Sequence, residues 1–145
     1  GCQVRTQVKK IGRLPIERVR GQTLGDIDVL AVDVERRRIL AIEVKALAPA
    51  RTPWELGHQL SELFRATRDR KSTVQKHSER TEWLRAHKAD VLSWFRVSAG
   101  AEDEWTVEPL IVLDKESASP YLTTSTVPVT TYHRLRQALG QFDIQ

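Results

Sequence analysis

The sequence predicts an α/β domain with a mixed, central sheet flanked by helices. Three observations predict it: two consecutive strand patterns joined by a short polar turn, a helix that begins with a capping box, and a further pair of strand patterns nearer the C-terminus. At 145 residues and 16.6 kDa, the chain has the length of one ordinary domain and can bury a core. We therefore expect a single domain over residues 1–145.

The first strand pattern is CQVRTQV, in which apolar and polar residues alternate, as in a half-buried strand. The patterns IDVLAVDV and ILAIEVKAL follow, separated by polar residues, and together predict an antiparallel hairpin. The second strand of this hairpin is apolar on both faces. Such a strand is typical of a sheet interior that is covered on both sides.

The first helix has a clear start, with Thr52 as N-cap, Pro53 at the first helical position and Glu55 in capping-box register. We expect this helix to run to about residue 70. One of its faces carries apolar residues at helical spacing and should pack on the sheet. These residues are Leu56, Leu60, Leu63 and Phe64.

The remaining elements are predicted as a helix, a strand pair and a strand followed by a helix. Ser72 and Gln75 begin a polar helix over STVQKHSERTEWLRAH, which we expect to be largely solvent-facing. DVLSWFRV and WTVEPLIVL predict strands around the turn-rich AGAEDE. TVPVT predicts an edge strand, because Pro128 cannot donate to a ladder, and TYHRLRQAL a final helix closed by Gly140.

Composition limits the class of protein. With 40% hydrophobic and 29% charged residues, and no apolar stretch near the roughly 20 residues that span a bilayer, the chain is typical of globular proteins without a membrane anchor. Cys2 is the only cysteine, which excludes an intramolecular disulfide and fits a cytoplasmic protein. The chain begins with Gly1 and contains no methionine, so we expect it to be a piece of a larger parent chain. The sequence is also compatible with a homodimer.

The net charge of +4 is distributed unevenly along the chain. Residues 1–20 carry six Lys or Arg against one acid, and residues 65–88 carry eight against three. Basic stretches suit a binder of nucleic-acid backbone, because Lys and Arg release condensed counterions on contact. A solvated helix face explains the same charges at least as well.

Within ILAIEVKAL, two charged residues interrupt an aliphatic run. Strand alternation places Ala41, Glu43 and Lys45 on one face. Burying two charges costs several kcal/mol per ion before pairing, so these side chains need compensation. A salt bridge between them is one form of compensation, and a metal ion with an anionic substrate is another.

The preceding strand supplies carboxylates for the second alternative. GDIDVL carries Asp26 and Asp28 on one face, and the hairpin brings this strand to about 4.8 Å from the Glu43 strand. Asp28 and Glu43 could share Mg²⁺ or Mn²⁺, which bind oxygen ligands, with Lys45 beside the metal-bound water. Phosphodiester hydrolysis is the chemistry that needs such a set.

These residues resemble the core of the PD-(D/E)XK nuclease superfamily. The resemblance is carried by Asp28 and by the later Glu43-Val44-Lys45, within GDIDVLAVDVERRRILAIEVK. It implies a restriction-endonuclease-like fold and metal-dependent cleavage of nucleic acid, with DNA as the favoured substrate. It further implies Asp28 and Glu43 as metal ligands, the Val44 carbonyl as a further ligand, and Lys45 as the catalytic lysine.

The resemblance covers about residues 20–64 and leaves some positions open. Several branches carry a glutamine on the helix after the lysine strand, where this chain has Gln59. Its amide needs a partner, and either caps a backbone group or orients a metal ligand, a water or a phosphate. Many members carry a further acid on an upstream helix, for which Glu17 is a weak candidate, and Asp26 is the alternative to Asp28.

Several cations could line a groove for the nucleic-acid backbone, and Trp83 is the candidate for stacking on unpaired bases. For the cations at the end of the first helix, a solvated basic helix end stabilised by the helix dipole is an equally sound explanation. The other functional hypotheses are a catalytically inactive nucleic-acid-binding or assembly domain, and a structural domain in which Glu43 pairs with Lys45. The candidate cations are Lys9, Lys10, Arg13, Arg65, Arg68, Arg70 and Lys71.

Overall fold

The computed structural model describes residues 1–98, 100 and 104–140, the last two of them by their backbone only. Its strands are β1 (Cys2–Val8), β2 (Lys10–Ile11), β3 (Leu14–Pro15), β4 (Glu17–Val19), β5 (Gln22–Thr23), β6 (Ile27–Asp33), β7 (Arg38–Lys45), β8 (Thr106–Leu113) and β9 (Val129–Thr131). Its α-helices are α1 (Pro53–Phe64), α2 (Thr73–Ala86), α3 (Lys88–Trp94) and α4 (Tyr132–Gly140).

The main sheet has five strands in the order β1-β6-β7-β8-β9. The β1–β6 and β6–β7 pairs are antiparallel, and β8–β9 is parallel. Hydrogen bonds from Thr106 N to Arg37 O and from Asp114 N to Lys45 O connect β8 with β7. This pair is parallel as well, because the residue numbers increase together along both strands. The predicted α/β class, with a mixed sheet flanked by helices, is therefore confirmed.

The chain divides into two compact units. The first unit comprises Gly1–Glu43 and Lys76–Pro109, and the second comprises Val44–Gln75 and Leu110–Gln145. Each unit buries an apolar cluster of its own, the first around Leu30, Ile39 and Leu84 and the second around Leu63 and Ile111. The single domain that the chain length predicts stays a prediction.

The predicted hairpin is confirmed as β6 and β7, and its turn is closed by charged side chains. The Asp33 carboxylate accepts hydrogen bonds from Arg36 N at 3.2 Å and from Arg38 Nε at 3.1 Å. The strand predicted over CQVRTQV is confirmed as β1, but its half-burial is wrong. Only Val8 of β1 is buried, because β1 is the edge strand of the sheet.

The capping box of α1 is confirmed. Thr52 Oγ1 accepts from Glu55 N at 3.2 Å, and the Glu55 carboxylate accepts from Thr52 N at 3.0 Å. The helix ends at Phe64, short of the predicted residue 70, and Arg65 already has extended backbone angles. The residues that follow, RATRDRK, carry no apolar face that could pack and extend the helix.

Two predictions for the middle of the chain are wrong. DVLSWFRV, predicted as a strand, contains helix α3, in which Val91, Leu92 and the following Phe95 are buried at helical spacing. A short apolar run is compatible with either period, and here the helical one prevails. The second helix, α2, is not solvent-facing, because its residues His77 and Leu84 are fully buried.

The predictions for the C-terminal part are largely confirmed. WTVEPLIVL contains β8, the edge strand β9 overlaps TVPVT at Val129 and Thr130 and continues to Thr131, and the last helix, α4, ends at Gly140. The predicted turn AGAEDE lies mostly outside the described residues. Across the described part of the chain, no helix combines the length and apolar character that crossing a membrane requires.

Candidate functional site

The register of the β6–β7 hairpin brings two carboxylates together. The paired residues run from Asp33 and Arg38 to Val29 and Ile42, and continuing this register by one step would set Asp28 opposite Glu43. Side chains in directly opposite positions share a face, with Cβ atoms about 4.5–5.5 Å apart. Asp26 precedes the first residue of β6, so the register favours Asp28 as the partner of Glu43.

Glu43 is buried in the first unit and paired with an arginine that the sequence analysis missed. Its side chain and that of Arg80 are each 9% exposed, and Arg80 Nη1 donates to Glu43 Oε2 at 2.6 Å. The same guanidinium donates through Nε to the carbonyl of Leu24 at 2.8 Å. A charge-assisted hydrogen bond of this length offsets much of the cost of burying the carboxylate.

The glycine of GDIDVL allows the segment before β6 to approach this arginine. Gly25 has a φ of +86°, in the left-handed region, and a Cβ at this position would lie 3.0 Å from Arg80 Nη2. Any other residue would therefore be strained in its backbone and crowded against the guanidinium. The missing side chain of Gly25 thus leaves room for Arg80 beside Glu43.

His77 is the second buried polar residue of α2 that contacts the hairpin. Its Nε2 lies 2.8 Å from the Ala41 carbonyl, an acceptor, so Nε2 carries the proton. Its Nδ1 is buried and has no hydrogen-bond partner among the described residues. Burial lowers the pKa of His77, and the hydrogen bond to Ala41 opposes this change only in part. The ring is therefore held neutral.

A signal for these residues was present in the sequence. The buried positions His77, Arg80, Thr81 and Leu84 follow the i, i+3, i+4, i+7 spacing of one helical face. Three of the four are polar, so a pattern that counts only apolar residues does not detect the face. These side chains can be buried because each makes at least one hydrogen bond to a backbone or charged group, as Thr81 Oγ1 does to the His77 carbonyl.

The remaining residues of the motif belong to the second unit. Val44 directly follows Glu43, and its side chain is 46% exposed. Lys45 is the last residue of β7 and is half-buried. Its carbonyl accepts a hydrogen bond from Asp114 N at 3.0 Å, which anchors the end of the strand.

Gln59 is buried on the apolar face of α1, as the helical spacing predicts. Its Nε2 donates to the carbonyl of Ala48. Its Oε1 accepts from Ser117 Oγ at 3.2 Å and from Ser119 Oγ at 3.0 Å. These contacts match the interpretation in which the amide caps a backbone group. The same side chain lines a cavity of about 350 Å³ at the start of α1.

The candidate backbone-binding cations are all exposed, in one group on each unit. Lys9, Lys10 and Arg13 belong to the first unit. The group on the second unit lies beyond the last turn of α1, which ends at Phe64, so the helix dipole stabilises at most Arg65. The other members of that group are Arg68, Arg70 and Lys71.

Trp83 is unsuited to base stacking. It is 9% exposed, so a base cannot reach its ring, which packs on His87 with centroids 4.0 Å apart. Glu17, the candidate for an additional acid, accepts a hydrogen bond from Gly21 N at 3.0 Å within the β4–β5 hairpin.

The hairpin provides carboxylate donors of the type that a divalent cation uses. Within the described residues, no group of three His, Cys, Asp or Glu side chains is arranged to hold a metal. Mg²⁺ commonly uses one or two carboxylates and completes its shell with water and substrate phosphate, so the donor type of Asp28 and Glu43 fits. Because Arg80 donates to Glu43 Oε2, a cation would share that carboxylate with the guanidinium.

Comparisons of this chain with models of protein families, with characterised proteins and with solved structures found no match. The functional interpretation therefore depends on the residues and the geometry described above.

Proposed function

We propose that this chain is a divalent-metal-dependent nuclease that hydrolyses phosphodiester bonds in DNA, with a restriction-endonuclease-like fold. The observation that supports the proposal is the hairpin register, whose paired residues reach Val29 and Ile42; continued by one step, it would set Asp28 opposite Glu43. Two carboxylates in this arrangement suit Mg²⁺ or Mn²⁺. The chemistry that such an ion supplies is charge neutralisation at the phosphate and acidification of water.

The residues of the chain have distinct parts in this proposal. Asp28 and Glu43 hold the cation, with the Val44 carbonyl as a further donor. The Lys45 ammonium orients the attacking water or offsets negative charge on the phosphate. Arg80 fixes the orientation of the Glu43 carboxylate, and a fixed ligand costs less reorganisation during the reaction.

The ion pair between Arg80 and Glu43 favours a second candidate function. Its oxygen and nitrogen atoms lie 2.6 Å apart, with both side chains buried, so the arginine compensates the Glu43 charge without a cation. A catalytically inactive nucleic-acid-binding or assembly domain would need no more than this. That domain would keep the basic surfaces and the hairpin but would not bind Mg²⁺ productively.

The test is cleavage of labelled single-stranded, duplex and branched DNA with Mg²⁺ or Mn²⁺, and with EDTA. The informative variants are Glu43→Gln, whose amide still accepts from Arg80 and so protects the fold, and Lys45→Ala. We expect each to lower metal-dependent cleavage by about two orders of magnitude or more. The matched controls are the exposed Glu108→Gln and Lys115→Ala, which remove the same charges elsewhere.

Binding measurements separate the two candidate functions. Mn²⁺ binding followed by electron paramagnetic resonance should be present in the wild type and weakened by Asp28→Asn. DNA binding with a steep salt dependence, but without cleavage on any substrate, would replace the nuclease by the binding domain. Neither binding nor cleavage would exclude both.

A further inference from the structure

A basic cavity of about 510 Å³ lies between the end of β1 and helix α3, within the first unit. Its lining includes Arg5, Lys9, Lys10 and the aromatic ring of Trp94. Among the described residues that line it there are three cations and no acid. The cavity therefore suits an anionic ligand with an apolar, stackable part.

Arg5 is held in place before any ligand binds. Its guanidinium carbon lies 4.1 Å from the ring centroid of Trp94 and 5.2 Å from that of Phe95. Its Nη2 donates to the Trp94 carbonyl at 3.3 Å. A guanidinium fixed in this way loses little conformational freedom when it binds a phosphate, which favours affinity.

The strand register places this cavity at the level of the candidate metal ligands. β1 pairs with β6 so that Thr6 lies opposite Val29, and by the same register Gln7 lies opposite Asp28. Gln7, which also lines the cavity, has a φ of 50°, a left-handed conformation. Such strain costs on the order of 1–3 kcal/mol and is found preferentially at functional sites.

We propose that Arg5, Lys9, Lys10 and Trp94 form a cleft that binds an unpaired nucleic-acid strand and directs its backbone towards Asp28. The proposal rests on the proposed function, because it takes the ligand to be a nucleic acid. It adds that the part of the substrate bound in the cleft is single-stranded. The cavity volume lies in the range of about 300–1,000 Å³ of small-molecule sites, which accommodates a nucleotide but not a duplex. In a duplex, moreover, the base faces are covered by neighbouring bases and cannot stack on Trp94.

The first experiment tests the charges of the cleft. Binding of a short, labelled dT oligomer is followed by fluorescence anisotropy in EDTA at several salt concentrations. We expect Lys9→Ala combined with Lys10→Ala to raise the Kd about tenfold. The slope of log K against log salt should fall in magnitude by about 1.4, because each of the two lost phosphate contacts contributes about 0.7.

The control for this experiment is Arg20→Ala combined with Lys115→Ala, which removes the same net charge from exposed residues outside the cleft. The control should leave the Kd nearly unchanged. Equal losses in both double variants would overturn the proposal, because the effect would then be one of net charge alone.

The second experiment tests stacking, with an abasic oligomer of equal length as the probe. The wild type should bind the dT oligomer about tenfold more tightly than the abasic one, and Trp94→Leu should abolish this preference while keeping the salt slope. Arg5→Lys, which keeps the charge but loses the planar guanidinium, should reduce the preference even if Trp94→Leu does not fold. Tighter binding of duplex than of single strand by the wild type would overturn the proposal.

The cleft and the nuclease activity can fail independently. Because binding is measured in EDTA, a chain that binds through the cleft but never cuts would refute the nuclease and support the cleft. A chain that cuts DNA while every cleft variant binds and cuts as the wild type does would refute the cleft alone.

Discussion

Each unit buries a polar side chain, and the two sites differ in charge. In the first unit the Glu43 carboxylate is paired with the Arg80 guanidinium. In the second unit the Gln59 amide is satisfied by the Ala48 carbonyl and by serine hydroxyls. A neutral amide needs only hydrogen bonds, whereas a buried carboxylate needs a positive charge, and that charge can be an arginine or a metal ion. The first site therefore needs a positive charge, which Arg80 supplies, and the second needs none.

The largest effect is expected when the charged site loses its arginine. Arg80→Ala leaves Glu43 buried without this partner and should lower the free energy of unfolding by about 3–5 kcal/mol. Urea denaturation followed by circular dichroism measures the change. Saturating Mg²⁺ should restore part of the loss if the cation can take the place of the guanidinium.

A double variant sharpens this prediction. Arg80→Met combined with Glu43→Leu removes both charges and should be less destabilised than Arg80→Ala alone, because no uncompensated charge stays buried. If Arg80→Ala unfolds at the wild-type urea concentration, the ion pair contributes nothing and the contrast between the two sites is lost.

A smaller effect is expected at the neutral site. Gln59→Leu removes the partner of two serine hydroxyls and a carbonyl, and should cost about 1–3 kcal/mol. The exposed Gln22→Leu serves as the control and should stay within about 0.5 kcal/mol. Loss of DNA cleavage in folded Gln59→Leu protein would place Gln59 in the catalytic site, whereas unchanged cleavage would limit it to a structural role.

The smallest effect concerns pH, and we expect it in the first unit, where His77 is buried. Burial lowers the pKa of His77 from its ordinary value of 6.5 in the folded chain, so the unfolded chain binds the proton more readily. The free energy of unfolding therefore keeps its full value above pH 6.5. It falls as the pH drops below 6.5, by at most about 1.4 kcal/mol per pH unit.

The variant that checks this is His77→Gln, whose amide can still donate to the Ala41 carbonyl. The free energy of unfolding of this variant should change less than that of the wild type as the pH falls below 6.5. His58→Gln, at an exposed histidine, serves as the control. A wild-type stability that does not change on acidification through this range would contradict the neutral, buried state of His77.

Elements with local signals were predicted well. The capping box of Thr52 and Glu55, the β6–β7 hairpin and the edge strand after Pro128 each depend on residues close together in the chain. The errors occurred where the signal was ambiguous or polar. A short apolar run became α3 instead of a strand, and the buried face of α2 was overlooked because it is built from His77, Arg80 and Thr81.

The sequence by itself determined the hairpin, because a short polar turn between two strand patterns is a local signal, whereas the register that favours Asp28 over Asp26 was read from the structure. Only the tertiary structure decided how the Glu43 charge is compensated. Arg80 lies 37 positions further along the chain, and its contact depends on how α2 packs against β7 within the first unit. Packing of this kind is a sum of many long-range contacts, which no local pattern of residues specifies.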